Sequence, residues 1–319
     1  MENAPFSLKP VDRVEIITLM DNYVDALLES SERVTRPPLS KEQQLPTDSL
    51  VAEHGLSQLV RVSDDDAVHS ILFDTGYTAF GVPHNLDVLG IDLAGIEAIV
   101  MSHGHMDHTG SLYPILERLG RPVPVVVHPE GFHTPRYFGL KDGRKLRFPA
   151  TLRREDLLRF GGEVIESREP VLLADGNILV TGEVERTTPF EKGLPNATLE
   201  RNGKEEKDPI RDDQAMVVYL KGKGLVIVSG CAHAGIVNTV LHAKKITGVN
   251  EVYAVIGGFH LSGPTFEPII EETVEALKQM NLKMIVPMHC TGWKAIQRFS
   301  EAFPESFVLN SVGTTFSLS

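Results

Sequence analysis

The chain has 319 residues but only two cysteines, Cys231 and Cys290, and a single tryptophan. Two cysteines are too few for a disulfide-stabilised scaffold and suit a protein of the reducing cytosol. No apolar run is long enough to cross a bilayer, and the opening residues MENAPFSLKP lack the apolar core of a signal peptide. We therefore expect a cytoplasmic protein without a membrane partner.

Positive charge is also in short supply. There are 31 Lys and Arg residues against 43 Asp and Glu residues, so the formal net charge is −12. Because phosphate backbones select basic surfaces, we expect no nucleic-acid partner. The 42% of hydrophobic residues and 23% of charged residues are ordinary for a globular protein of this length, which can bury a sizeable core. The composition leaves the oligomeric state open.

Apolar runs that are bounded by turn residues alternate between strand and helix character along the chain. Strands are predicted over 11–20, 56–62, 67–76, 96–102, 124–128, 177–185, 214–220, 224–230, 252–258 and 282–288, and helices over 111–120 and 267–280. In the second helix, Ile270, Val274 and Leu277 form one apolar face. The pattern predicts one α/β layered domain over 1–319, with loop insertions near 30–50 and 129–160.

The segment MSHGHMDHTG, residues 101–110, concentrates metal-binding side chains in one turn. His103 and His105 are spaced to bind one metal ion, while Asp107 and His108 can reach a second ion from the start of the next segment. Neutral imidazole and carboxylate are good ligands for zinc, manganese or iron. The cluster follows a predicted strand, where ligand sites of α/β folds usually lie. A coincidental polar loop is a poor alternative, because four ligand-type residues occur within six positions.

Three later histidines also follow predicted strands, in SGCAHAG, GGFHL and PMHCTG. We expect His233 and His289 to be metal ligands. His260 is the most ambiguous of the three: it is a further metal ligand, a residue that supports a ligand, or a residue that transfers a proton. Asp74, in LFDTG, ends another strand. It either fixes the shape of the metal-binding loop through hydrogen bonds or is a simple turn aspartate.

Together, LFDTG, SHGHMDHTG and the late histidines resemble the metallo-β-lactamase superfamily. The resemblance implies an αββα sandwich of two mixed sheets, with helices on the outer faces and metals at one edge. It matches His103 and His105 to the first metal, Asp107 and His108 to the second, and His289 to the last histidine of the pattern. The implied cofactors are two divalent ions, zinc in the first place, with manganese or iron as alternatives.

Within the superfamily, LMDN (19–22), AEHGLS (52–57), SGCAHAGIVNT (229–239), GGFHL (257–261) and PMHCTG (287–292) resemble the branch that contains archaeal dihydropterin–aminobenzene synthases. The chain departs from the common pattern in two places. Residues 180–191 hold no Pro-Gly-His motif, and Cys231 stands where a bridging aspartate is usual. We infer that His233 replaces a missing ligand. Cys231 is either a ligand or a buried packing residue close to the site.

The ligand set suits both hydrolysis and the departure of a diphosphate. Our preferred interpretation is a hydrolase that attacks an ester, phosphoester or related bond with a metal-activated water. Asp107 and His260 are its candidate catalytic residues. One alternative is a synthase that condenses a pterin diphosphate with an aryl amine. Another is a metal-binding protein without catalysis.

A basic stretch interrupts the acidic chain. Residues 136–154 hold seven Arg and Lys residues against one aspartate. Because guanidinium groups bind phosphate through paired hydrogen bonds, Arg144 and Arg147, together with Arg186 further along, are candidates for holding a small anionic substrate. The alternative is a solvated loop that only keeps the protein soluble.

Overall fold

The computed structural model describes residues 6–40, 43–64 and 67–319. Its strands are β1 (Pro10–Val11), β2 (Arg13–Met20), β3 (Val34–Thr35), β4 (Ser57–Asp64), β5 (Ala67–Phe73), β6 (Ile96–Val100), β7 (Val123–Val127), β8 (Arg136–Gly139), β9 (Lys145–Arg147), β10 (Gly162–Glu166), β11 (Val171–Leu173), β12 (Ile178–Val180), β13 (Ala197–Arg201), β14 (Lys204–Lys207), β15 (Ala215–Leu220), β16 (Gly224–Ser229), β17 (Val252–Gly258), β18 (Met284–Met288) and β19 (Thr315–Leu318). Its helices are α1 (Gly81–Leu89), α2 (Met106–Thr109), α3 (Leu112–Leu119), α4 (Arg154–Arg159), α5 (Ile236–Thr247), α6 (Ile270–Lys278) and α7 (Trp293–Ala302).

The described strands form two large mixed sheets and one small sheet. The first large sheet has the order β10-β7-β6-β5-β4-β2-β19-β3. The second has the order β11-β12-β15-β16-β17-β18, with β1 beside β15. The small sheet, β14-β13-β8-β9, is antiparallel throughout.

Alternating side chains within the strands build the layers. In β16, Val226 and Val228 belong to the apolar cluster between the two large sheets, whereas Leu225 and Ile227 belong to the cluster under the helices. A strand with both faces buried reads as a continuous apolar run, which is why GLVIVS is entirely buried. The hydrophobic effect therefore drives both faces of this sheet into contact with another layer.

Helices cover the outer face of each large sheet. Helices α5, α6 and α7 pack on the second sheet, and the predicted apolar face of Ile270, Val274 and Leu277 is buried there. Helices α1, α3 and α4 pack on the first sheet through residues such as Val82, Leu116 and Leu157. The arrangement is the αββα sandwich that the family resemblance implies. Within the described residues, no helix is long and apolar enough to cross a bilayer.

The region 129–160, which was predicted as a loop insertion, is more regular than expected. It contains β8, β9 and α4, and β8 pairs with β13 of a hairpin that the sequence pattern did not reveal. All of these strands are short, and β9 and its counterpart β14 are exposed throughout, so they lack the apolar run from which strands were predicted. The predicted strand 177–185 is shorter than expected and ends at Val180, two residues before Gly182 with its positive φ of 66°. The single-domain boundary of 1–319 stays a prediction.

The topology brings the carboxyl ends of several strands to one edge of the sandwich. β5 and β6 are parallel in the first sheet, and β16, β17 and β18 are parallel in the second. The residues that follow these strands are Asp74, His103, Cys231, His260 and His289. Their side chains therefore come together although the first and the last are more than two hundred positions apart in the chain.

Candidate metal centre

The first group of metal-binding atoms comes from His103, His105 and His233. Their ligand atoms lie within 4.8 Å of one another, and all three side chains are buried. The Nε2 of His103 lies 3.0 Å from the Nδ1 of His105, and the rings of His103 and His233 have centroids 4.8 Å apart. Phe148 stacks on His105 with centroids 4.6 Å apart, so the 129–160 region does cover this edge.

The second group comes from Asp107, His108, Cys231 and His289, whose ligand atoms also lie within 4.8 Å of one another. The Oδ2 of Asp107 lies 3.4 Å from the Nε2 of His289 and 3.9 Å from the Nε2 of His108. The rings of His103 and His108 have centroids only 4.2 Å apart, so the two groups are neighbours. The structure thus brings together all six side chains that were predicted as metal ligands.

Asp74 and Ser102 orient two of these histidines. The Nδ1 of His108 donates to the Oδ2 of Asp74 over 2.6 Å, and the Ser102 hydroxyl donates to the same oxygen over 2.6 Å. Since the Ser102 hydroxyl proton is used in this way, its oxygen accepts from the Nδ1 of His103 over 2.9 Å. With Nδ1 held in this way, Nε2 is the nitrogen of each ring that is left to bind a metal ion, once any proton on it is displaced.

Asn22 does the same for His289 from the opposite side. Its Oδ1 lies 3.3 Å from the Nδ1 of His289, while its Nδ2 donates to the carbonyl oxygen of His289 and to the Nδ1 of His54. The backbone N–H of His289 donates to Asp21, which Asn310 holds in turn. The Asn22 side chain thus leaves the Nε2 of His289 without a protein partner. Because Asn22 donates to the Nδ1 of His54, the proton of His54 lies on its Nε2, which is 3.9 Å from Asp107.

A buried ion pair shapes the turn between the first two histidines. Asp212 accepts from the backbone N–H of Gly104 over 2.8 Å and from the Arg136 guanidinium over 2.7 and 3.0 Å. Arg136 also lies 3.2 Å from Asp208. The guanidinium outweighs the effect of burial and holds the pKa of Asp212 well below its usual range. Arg136 is consequently a structural residue, although it belongs to the same basic stretch as the substrate-binding candidates Arg144 and Arg147.

The unpaired atoms in this region test whether the residues fit a metal ion. Both ring nitrogens of His233 and the Nε2 of His289 are buried and have no hydrogen-bond partner among the described residues. Buried polar atoms without partners are costly, and a metal ion is a partner that would satisfy them. The donor set of imidazole, carboxylate and sulfur also suits zinc or iron. The residues present fit the divalent ions that the family resemblance implies.

The pKa shifts of the metal-free centre differ between His108 and the other three histidines. Burial lowers the pKa of His105 to about 4 and the pKa of His103 and His233 well below the ordinary histidine value. Burial also acts on His108, but Asp74 and Asp107 outweigh it and raise its pKa to about 9. These shifts belong to the metal-free centre. Metal binding displaces the proton from a histidine, as it does from any ligand.

His260 lies beside the centre, as predicted. Its ring centroid is 4.2 Å from that of His233, it is only partly buried, and its Nδ1 has no partner among the described residues. The two glycines before it are required by close packing. A Cβ on Gly257 would lie 2.1 Å from the carbonyl oxygen of Ser229, and a Cβ on Gly258 would lie 2.8 Å from the Sγ of Cys290. They let β17 press against the loop that carries Cys231.

The three predicted substrate-binding arginines lie in two places. Arg144 and Arg147 are exposed on the β8–β9 hairpin, and Arg144 is already paired with Asp142 at 2.7 Å. Arg186 lines a cavity of about 1070 Å³ together with Arg168, Arg211 and Lys245. Asp213 and Ala234 also line this cavity, so it adjoins the loop that carries His233. Arg168, Arg211 and Lys245 have glutamate partners, whereas Arg186 donates to the carbonyl oxygen of Pro209.

Sequence reasoning missed several residues that shape the centre, namely Asp21, Asn22, Ser102, Arg136, Asp208 and Asp212. Asn22 belongs to LMDN, which was noted only for its resemblance, and Ser102 directly precedes the histidine motif. Both residues are polar and lie just after a strand, and this pattern could have identified them as neighbours of a ligand. Arg136, Asp208 and Asp212 gave no signal of this kind, because only the fold pairs them.

Comparisons with known proteins agree with this geometry. Residues 56–229 match the family model of the metallo-β-lactamase superfamily. The chain is 38% identical over 263 residues to the 7,8-dihydropterin-6-methyl-4-(β-D-ribofuranosyl)-aminobenzene-5′-phosphate synthase of Methanocaldococcus jannaschii, covering 80% of this chain and 87% of that protein. It is 33% identical over 266 residues to an uncharacterized protein of the same organism, covering 82% and 92% of the two chains.

Among solved structures, the chain resembles Tm1679, described as a metal-dependent hydrolase of the β-lactamase superfamily. The TM-score is 0.69 at 27% sequence identity, and the match covers 96% of this chain and 98% of that one. The fold, the edge at which the ligand atoms meet and the family match therefore agree. This chain belongs to the metallo-β-lactamase superfamily.

Proposed function

We propose that this protein is a hydrolase that binds two divalent metal ions, zinc in the first place, and cleaves an ester, phosphoester or related bond of a small anionic substrate. The observation that carries the proposal is the pair of adjacent ligand groups, in which neighbouring residues hold the histidines with bare nitrogens facing inward. The two reduced, buried cysteines support a reducing compartment, so we propose the cytoplasm as its location.

When bound, the divalent ions lower the pKa of a water molecule and polarise a carbonyl or phosphoryl oxygen. His103, His105 and His233 would hold one ion, and Asp107, His108 and His289 would hold the other. Asp74 keeps His108 in the metal-binding tautomer, and its negative charge strengthens that ligand. Asp107 faces both His108 and His289, so its carboxylate is also placed to accept a hydrogen bond from the attacking water.

His260 is the residue best placed to exchange a proton with the substrate. Its ring is partly exposed at the rim, and its Nδ1 is without a partner among the described residues. Phe266 packs edge-on against the ring with centroids 4.5 Å apart and so restricts its orientation. A positioned histidine of this kind protonates the departing group.

The anionic part of the substrate is assigned to arginine side chains. Arg186 supports this assignment best, because it lines a large cavity beside the His233 loop and has no carboxylate within ion-pair distance among the described contacts. Arg144 and Arg147 remain proposed contacts from the hairpin whose next residue, Phe148, covers His105. We propose no nucleic-acid partner, in keeping with the net charge of −12.

A synthase that condenses a pterin diphosphate with an aryl amine is the second candidate. The 38% identity to a synthase of M. jannaschii favours it specifically. Metal ions also assist the departure of a diphosphate, so the centre suits either reaction.

One screen separates the candidates. Protein purified without added metal is analysed for bound metal and then offered phosphoesters, lactones and pterin diphosphates, each with and without an aryl amine. Water-dependent cleavage that ignores the amine supports the hydrolase. Product that forms only with the amine supports the synthase. Bound metal without turnover of any compound would favour a metal-binding protein that lacks catalysis.

A further inference from the structure

The second ligand group contains one donor that the hydrolase proposal does not use. Besides Asp107, His108 and His289, it includes the sulfur of Cys231, which lies 3.2 Å from the Nε2 of His108. The Oδ2 of Asp107 lies 3.4 Å from the Nε2 of His289. Zinc–nitrogen and zinc–sulfur bond lengths place the donors of one tetrahedral ion roughly 3.3 to 3.6 Å apart. The observed spacings therefore resemble those of one coordination shell.

We propose that Cys231 binds the second metal ion as a thiolate, completing a site of one carboxylate, two imidazoles and one sulfur. The Nδ1 of His108 is hydrogen-bonded to Asp74, so Nε2 is the nitrogen that can bind a metal, and it lies beside the sulfur of Cys231. The Nε2 of His289, buried and without a partner among the described residues, belongs to the same group. The Cys231 proton is released when the metal binds, as for any thiol ligand.

Close packing on both sides holds the loop that carries Cys231. Cys231 is buried, yet it belongs to none of the three apolar clusters in the described part of the chain. Gly230 presses this loop against Ser102, since a Cβ there would lie 2.3 Å from the Cβ of that serine. Ala232 follows with φ at 54°, a strained value for a residue with a side chain. The loop is therefore fixed on both sides of the cysteine.

Cys290 is a natural control, because it is the other buried cysteine and lies next to His289. Its Sγ donates to the carbonyl oxygen of Cys231 over 3.4 Å, and it belongs to no group of metal-binding atoms among the described residues. The two cysteines thus share an environment, but only the sulfur of Cys231 belongs to a group of metal-binding atoms among the described residues. The assignment also carries a chemical consequence, because a soft thiolate favours zinc or iron over manganese.

The test uses cobalt(II) in place of the native metal, because a thiolate bound to cobalt(II) gives an intense charge-transfer absorption in the near ultraviolet. We expect the cobalt-loaded wild type and Cys290→Ser to show this band, and Cys231→Ser to lose it. Cys231→Asp should bind cobalt without showing the band. Its affinity for manganese, relative to its affinity for zinc, should be higher than that of the wild type. A band that survives in Cys231→Ser, or that disappears in Cys290→Ser instead, overturns the assignment.

A second measurement does not depend on any variant folding correctly. X-ray absorption at the zinc edge of the zinc-loaded wild type should show sulfur at about 2.3 Å from the metal. A shell of nitrogen and oxygen alone would rule out Cys231 as a ligand. Both readouts report the metal and not turnover, so they stand whether the protein proves to be a hydrolase or a synthase.

Discussion

The Oδ2 of Asp74 accepts a hydrogen bond of 2.6 Å from the Nδ1 of His108, and both side chains are completely buried. Asp74 directly follows β5 with φ at 57°, and it also accepts hydrogen bonds from the backbone N–H and the hydroxyl of Ser102. A single carboxylate therefore joins the end of β5 to the histidine motif that follows β6. Backbone strain of this kind persists only where surrounding contacts fix it, as they do here.

Asp74→Asn tests this link. The asparagine amide has one accepting oxygen where the carboxylate has two, and it carries no charge. It therefore cannot accept all the hydrogen bonds that His108 and Ser102 donate to Asp74. We expect metal affinity to fall roughly 10- to 100-fold while the protein stays folded. Titration with a metal-responsive dye and a circular dichroism spectrum would measure the two effects. Asp87→Asn, at an exposed aspartate of α1 paired with Arg118, is the control and should leave affinity unchanged.

Alanine at His103, in the first ligand group, or at His108, in the second, should remove metal and reduce activity on the order of a hundredfold or more. The fold should survive, because these side chains lie at the edge of the sandwich and not between its sheets. Metal content by elemental analysis and the far-ultraviolet spectrum are the measurements. Wild-type metal content in both variants would contradict the ligand assignment.

His260→Ala should behave differently from the ligand variants. If the histidine exchanges a proton with the substrate, kcat falls by roughly 10²- to 10⁴-fold while metal content is retained. Elemental analysis and steady-state kinetics on the same preparation separate the two. The loss of one metal equivalent would instead make His260 a ligand, which its position in a group with Cys231 and His233 would explain.

Arg186→Ala should raise KM for an anionic substrate about tenfold or more, because a hydrogen bond between charged groups is removed. The double variant Arg144→Ala/Arg147→Ala should raise it as well, and neither should change metal content. Arg13→Ala is a suitable control, because Arg13 lies at the start of β2, whereas the metal centre lies near the other end of that strand. An unchanged KM, or the finding that the best substrate is neutral, would show that these arginines do not bind the substrate.

Glu191 links stability to pH. Its carboxylate accepts from the backbone N–H groups of Val237 and Asn238, over 2.8 Å each, at the start of α5. Glu191→Ala should lower the free energy of unfolding by about 1 to 3 kcal/mol, because these buried donors lose their partner. Burial raises the pKa of Glu191 above its ordinary 4.5 despite these bonds.

The sign of the pH effect follows from this direction. The folded protein holds the Glu191 proton more tightly than the unfolded chain, so its contribution to stability is greatest below pH 4.5. This contribution declines as the pH rises through the folded-state pKa. Denaturant unfolding of the wild type and Glu191→Gln across this range measures it. A constant difference between the two proteins would contradict the shift.

The sequence by itself determined the layers and most of the ligands. Continuous apolar runs such as GLVIVS and VYAVIGG predict buried strands, because a strand that is covered on both faces has apolar side chains at every position. The motif SHGHMDH predicted His103, His105, Asp107 and His108, because ligands that are close in sequence are also close in space. The family resemblance then supplied the αββα arrangement.

Only the tertiary structure decided how distant residues combine. The pairing of Asp74 with His108, the amide of Asn22 between His54 and His289, and the Arg136–Asp212 ion pair each join segments that local patterns treat as unrelated. The short strands β8, β9, β13 and β14 likewise exist because they pair with one another, a property that hydrophobic periodicity does not encode. Contacts between remote positions depend on strand order and register, and these are set by the packing of the whole chain.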